Sequence, residues 1–194
     1  MNKQIIGLGG TNGSGKDTVG HILADKYGYL FISVTDLLRA EARRRGQPVE
    51  RGVLRTISAE WRRELGLGVL VDKAVAEYEA VKDKYTGVAM ASLRNPGEAD
   101  RVHDFGGTMV WVDADPHTRY DRIQANAAIR ERAEEDNKTF EQFLVEEEAE
   151  MHHSGDEATL DMAGVKAKSD IFLENNGNDL VQLQNDIKQS LGLN

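Results

Sequence analysis

Along the chain, short apolar runs alternate with longer stretches whose apolar residues recur at helical spacing. Gln4–Gly9 reads as a buried strand, and Lys16–Tyr27 as a helix with Val19, Ile22 and Leu23 as its apolar stripe. Tyr29–Ser33 predicts a second strand and Asp36–Arg45 a second helix. A helical region then covers about 53–84, interrupted near Gly66 and Gly68. Val88–Leu93 and Met109–Val112 read as strands, Pro116–Ala128 as a helix, and Thr139–Met151 as a strongly acidic helix. The chain closes on a strand, Asp170–Leu173, a turn at Asn175-Asn176-Gly177 and a helix, Asp179–Leu191. Strands separated by helices imply parallel pairing through right-handed crossovers. The expectation is an α/β, three-layer helix–sheet–helix fold on a five-stranded parallel sheet, with ligands at the carboxyl ends of the strands.

The first chemistry-bearing stretch sits at the end of the first strand. Gly10-Thr11-Asn12-Gly13-Ser14-Gly15-Lys16 fits the first seven positions of a phosphate-binding P-loop, placed between a strand and a helix as the mechanism requires. The glycines let the backbone curl into an anion nest, the following helix adds its positive end, and Lys16 supplies a charge for the outer phosphates. Asp17 departs from the pattern, which places a magnesium-binding hydroxyl there; its carboxylate can serve a cation directly or through water, and Thr18 offers the hydroxyl one residue later.

Two further segments follow predicted strands. In Ser33-Val34-Thr35-Asp36-Leu37-Leu38-Arg39, Thr35 or Asp36 is a helix N-cap and Arg39 lies one turn in, facing either the cleft or solvent. In Ser92-Leu93-Arg94-Asn95-Pro96-Gly97-Glu98, the residue before proline must be extended, which presents Arg94 at the strand end. A guanidinium there grips a phosphate bidentately, with Glu98 orienting it; the alternative is an ion pair that caps the strand. The acidic run Glu146-Glu147-Glu148 with Glu150 reads as a solvated face, and His152-His153 as a poor ligand pair, since neighbours on a helix diverge by about 100°.

Length and composition narrow the function classes. At 194 residues the chain fits one domain with a substantial core. A net charge of −9 argues against binding a nucleic-acid polymer but leaves room for a local site for a small anion. With no cysteine, thiolate catalysis and disulfides are excluded. The apolar stretch Ile5–Leu8 is too short for a signal peptide, and no run reaches membrane-spanning length, so a cytoplasmic protein without membrane partners is expected. No coiled-coil pattern appears, and the oligomeric state stays open.

The sequence Gly-Ser-Gly-Lys-Asp-Thr at 13–18 is similar to the loop of nucleoside and deoxynucleoside monophosphate kinases. Thr35-Asp36-x-x-Arg39 resembles a segment of adenylate kinases in which the Arg holds the acceptor's phosphate, and Arg94-x-Pro96-x-Glu98 resembles a stretch of deoxynucleoside monophosphate kinases. The closing Asp170…Asn176-Gly177 resembles the ending of dephospho-CoA kinases, where the loop lies against the donor adenine. The layout also resembles archaeal-type uncharacterised P-loop kinases, in which an Asp-x-x-Arg-x-Glu-Ala segment follows the second strand much as Asp36–Gly46 does.

The resemblance implies a single P-loop kinase domain over 1–194, with an acceptor-binding helical region at about 34–85 and a small helical lid at about 124–150. It implies ATP and Mg²⁺ as cofactors, held by Gly10, Asn12, Gly13, Ser14, Gly15, Lys16, Asp17 and Thr18, with the metal on Asp17 and Thr18 and the base near Asn176 and Gly177. Asp36, Arg39, Arg94 and Glu98 would hold the acceptor, and Lys16, Arg94 and the lid residues Arg130 and Arg132 would neutralise charge, with Arg122 a lesser lid candidate. The related kinases carry an acid just before the strand-end Arg, where this chain has Ala91 and Ser92. The expected activity is phosphoryl transfer from ATP to a nucleoside or deoxynucleoside monophosphate. The alternatives are dephospho-CoA kinase, with Asp36 as base, and an ATP-binding regulator with little turnover.

Overall fold

The computed structural model describes residues 4–126, 138–153, 155–177 and 179–193. Five strands, β1 (Gln4–Gly10), β2 (Tyr29–Ser33), β3 (Gly87–Ala91), β4 (Thr108–Asp113) and β5 (Ile171–Glu174), form one sheet in the order β2-β3-β1-β4-β5. Every pairing is parallel, with Gln4 opposite Gly87 and Gly10 opposite Val112. β1 therefore lies in the middle, and the residues that leave its carboxyl end are flanked by those that leave β3 and β4.

Helices cover both faces, which is why the central strands are apolar almost without alternation. On one face, α1 (Lys16–Tyr27) and α9 (Leu180–Leu191) bury Val19, Leu23, Leu183 and Ile187 against Leu8, Val110 and Val112. The other face carries α2 (Val34–Arg44), α3 (Arg51–Leu65), α4 (Val69–Glu79), α5 (Pro96–Asp104) and α8 (Met162–Ala167). Their core joins Leu38, Ile57, Leu70, Tyr78, Val102 and Val165 to Met90, Met109 and Trp111. Two helices stand at the rim, α6 (Pro116–Ala125) and α7 (Phe140–Met151). Among the described residues no helix is long and apolar enough to cross a membrane.

The expected sandwich and five strands are present, and the long region at 53–84 breaks at Gly66–Gly68 into α3 and α4. Two helices escape the periodicity. α8 has six residues, too few to show a period. α5 has a start signal: Asn95 accepts from Gly97 N–H at 2.9 Å, Pro96 opens the first turn, and Glu98 reaches back to the Asn95 N–H in a capping box. Asn95 itself is extended, as its position before proline demands, at φ −131° and ψ 135°.

Candidate active site

The loop between β1 and α1 is the centre of the site. Gly15, at the start of α1, has φ 91°, and Gly13 has φ 80°, both in the left-handed region that side chains disfavour. A Cβ on Gly13 would lie 2.7 Å from the Arg119 carbonyl oxygen, and one on Gly15 would lie 2.3 Å from Asn175 Nδ2. No side chain caps the N-terminus of α1 among the described residues, so its first-turn N–H groups are left to an anion. Ser14 Oγ is buried with no hydrogen-bond partner among the described residues. Lys16 is buried and folds over the loop, its Nζ donating to the Thr11 carbonyl at 3.4 Å. The cradle fits a nucleotide's phosphate groups.

The ends of β4 and β5 brace this loop from one side. Asp113, the last residue of β4, accepts from Thr11 Oγ1 at 3.1 Å, from Trp111 Nε1 at 3.2 Å and from its neighbour Ala114 N–H at 2.9 Å. Arg119 of α6 lies 3.7 Å from Asp113 and Lys166 of α8 lies 3.4 Å from it. Burial pushes the Asp113 carboxyl up, but the Trp111 and Ala114 hydrogen bonds, the Arg119 charge and Thr11 prevail and hold it below the usual carboxylate range. Arg119 is buried, donates to the Ala114 carbonyl at 2.7 Å, and pairs with Glu147 of α7. Beyond β5, Asn175 Nδ2 donates to the Ser14 carbonyl at 2.8 Å, while Arg122 donates to the carbonyls of Asn175 at 2.8 Å and Gly177 at 2.5 Å. The Asp115 N–H donates to the Asn176 side chain at 2.6 Å. Asn176 and Gly177 are thereby fixed beside the loop, with Arg122 holding the carbonyls on either side of Asn176.

On the other side of the loop a cavity of about 700 Å³ opens, within the range of small-molecule sites. Lys16, Asp17, Asp36, Arg39, Ser92 and Arg94 all line it, so part of the predicted donor set and most of the predicted acceptor set share one space, while Thr18, Glu98, Asn176 and Gly177 do not line it. Asp36 and Arg39 pair at 2.6 Å on its outer wall. Ser92, standing where related kinases carry an acid, has φ 71° and is the single non-glycine residue with positive φ among those described. Such a conformation costs about 1–3 kcal/mol and persists where the surroundings enforce it, often at functional sites.

Several expectations change. Glu98 does not orient the Arg94 side chain. It is fully buried; one oxygen accepts from the backbone N–H groups of Arg94 at 2.6 Å and Asn95 at 3.1 Å, and the other pairs with Arg62 of α3 at 2.7 Å. Arg62 also donates to the Ala158 carbonyl at 2.9 Å. Glu98 therefore sets the strand-end backbone that presents Arg94, and its packing on α3 keeps it from the cavity. The acidic run is a solvated face only in part. Glu147 and Glu150 pair with Arg119 and Arg94, because α7 turns that side onto the body, while Glu146, which pairs with Arg51, and Glu148 stay exposed. Arg130 and Arg132 lie outside the described residues. The sequence marks Arg119 only as one of the arginines that follow the fourth strand, in the place of a lid, and does not single out Asp113, Arg62, Arg51 or Arg55; of these four only Asp113 carries a signal, an acid ending a strand just before Asp115-Pro116.

No group of three or more His, Asp or Glu able to hold a metal occurs among the described residues. Mg²⁺ in phosphoryl-transfer sites takes most of its ligands from phosphates and water and needs only one or two protein oxygens. The exposed Asp17 carboxylate and Thr18 hydroxyl in the first turn of α1 fit that demand.

Comparison with known proteins bears on the family and the fold. A UPF0200 protein of Pyrobaculum aerophilum is 26% identical over 191 residues, covering 96% of both chains. A shikimate kinase of Gloeobacter violaceus is 32% identical over 124 residues, 63% of each chain. The crystal structure of shikimate kinase from Bacteroides thetaiotaomicron superposes with a TM-score of 0.57 over 98% of this chain and 99% of that one, at 15% identity, a likeness of fold. A family model described as an AAA domain matches residues 9–141, from the phosphate loop past α6. The chain therefore belongs to that AAA-domain family of P-loop proteins, within the P-loop kinase-like superfamily.

Proposed function

We propose that the protein is a small-molecule kinase that transfers the γ-phosphoryl group of ATP to a nucleoside or deoxynucleoside monophosphate. One observation carries this reading: the phosphate loop and Arg94 open onto a single cavity of about 700 Å³, which Lys16, Asp17, Arg39 and Arg43 also line. A protein that only senses ATP needs no arginine wall beyond its donor loop. ATP with Mg²⁺, when bound, supplies the transferable group and part of its charge neutralisation.

The chain's own residues then have distinct tasks. The loop backbone and the N-terminus of α1 hold the donor phosphates. Lys16 offsets charge on the outer phosphates, and Asp17 with Thr18 would hold the metal. Arg94 aims the acceptor's phosphate from the end of β3, where Glu98 fixes its backbone. A phosphate oxygen is already anionic, so this acceptor needs no general base.

A second reading takes a hydroxyl acceptor, as in dephospho-CoA kinase or as in the relative named shikimate kinase. Asp36 favours it, since its exposed carboxylate lines the same cavity and can receive a hydroxyl proton. Incubation with Mg-ATP and a panel of monophosphates, dephospho-CoA and shikimate, with ADP formation followed, separates the readings. Turnover is expected with at least one monophosphate and is abolished in Lys16→Ala. Clean ATP binding with no turnover on any member would sink the kinase reading, and turnover with a hydroxyl acceptor alone would select the second.

A further inference from the structure

Three arginines meet on one carboxylate beside the cavity, and the carboxylate belongs to the chain itself. Glu150, near the end of α7, lies 3.0 Å from Arg51 and 3.1 Å from Arg94, and it also pairs with Arg55. Both of its oxygens are engaged, one by Arg51 and Arg55 and the other by Arg94. Arg51 and Arg55 are one turn apart on α3 and so share a face. The cluster stands between the main cavity and a second one of about 500 Å³; Arg51 and Arg55 line both.

Glu146 also touches Arg51 from the exposed side at 3.3 Å, and Asp17 attracts Arg94 from the loop. Among the described residues, the three guanidiniums converge on the one carboxylate of Glu150. Guanidinium forks match the tetrahedral oxygens of a phosphate at least as well as a carboxylate, and a phosphate monoester brings a second negative charge. Burial depresses the Arg94 guanidinium, with Arg51 and Arg55 adding to that, so the group depends on an anion near it.

We propose that Arg51, Arg55 and Arg94 form the phosphate subsite for the acceptor, and that Glu150 occupies it in the acceptor-free protein as a removable internal anion. The identity of the ligand as the acceptor rests on the kinase reading above; the anion site does not. Arg39, held by Asp36 on the outer wall, then serves the remainder of the acceptor instead of its phosphate.

Inorganic phosphate is the probe, titrated calorimetrically into wild type, Glu150→Gln and Glu150→Gln/Arg55→Ala. Binding at the P-loop is common to all three and cancels in the comparison. Glu150→Gln is expected to bind phosphate about tenfold tighter than wild type, and the double variant to lose that gain. Equal affinity in wild type and Glu150→Gln, or a gain that survives Arg55→Ala, would overturn the proposal. Should Glu150→Gln fail to fold, amide exchange in the wild type decides: saturating phosphate is expected to speed exchange over 140–151 as Glu150 leaves, and unchanged exchange contradicts it. A phosphate site that behaves as expected beside an inert acceptor panel would overturn the kinase reading alone.

Discussion

At the scale of single residues, the site depends on side chains whose neighbours lie far along the chain. Asp113 is held below the usual carboxylate range by Trp111, Ala114, Arg119 and Thr11 acting against its burial. A carboxyl whose pKa falls on folding stabilises the protein fully above its unfolded value, near about 3.9, and loses that contribution as pH falls through the folded one. Asp113→Asn is therefore expected to cost about 1–2 kcal/mol at neutral pH in urea unfolding, a gap that narrows on acidification below about pH 4. A gap of constant size into strong acid would show that Asp113 carries no such load. The buried Arg62–Glu98 pair sets a harsher case, because removing one partner strands the other's charge. Arg62→Ala is expected to lose about 3–5 kcal/mol by the same measurement. The residue types of the phosphate loop, of Asp36 and Arg39 and of Arg94 were legible because each follows a strand end. The partner of Glu98 was not, since 36 residues separate it from Arg62 and nothing local names the pairing.

At the scale of elements, backbone conformation links sequence to chemistry most directly. Gly13 approaches Arg119 and Gly15 approaches Asn175 so closely that the loop keeps its curve only without a Cβ at either position. Gly15→Ala is expected to weaken ATP binding by at least about tenfold through left-handed strain and the collision with Asn175. An unchanged affinity in calorimetry would mean that the loop's curve is not what holds the nucleotide. Asn95 starts α5 and also ties down the loop before α8 by donating to the carbonyls of Glu157 at 2.7 Å and Thr159 at 2.9 Å. Asn95→Ala, followed by thermal unfolding, is expected to cost about 1 kcal/mol for the lost cap and more for those two carbonyls. The strands and long helices were legible because burial on one or both faces writes a period into the sequence. The short α8 has too few residues to write one, and α5 begins with the same residues that carry the site's chemistry.

At the scale of the whole molecule, sheet order brings the function together. With β1 in the middle, the P-loop receives Arg94 and Ser92 from β3 on one side and Asp113 from β4 on the other. The net charge of −9 gave no hint of this, because six arginines line one cavity while many of the acids are spread over the surface. The acidic helix shows the limit of reading charge along a chain: its composition reads as solvated, yet α7 lays Glu147 and Glu150 on the arginines of the site. The central claim is that the cavity receives a phosphoryl group from the loop. ATP labelled in its γ-phosphate, incubated with the protein and the accepted monophosphate, tests this most directly by where the label goes. The account predicts label on the acceptor as a nucleoside diphosphate, and its loss in both Lys16→Ala and Arg94→Ala. Label released only as inorganic phosphate, at a rate indifferent to the acceptor, would contradict it.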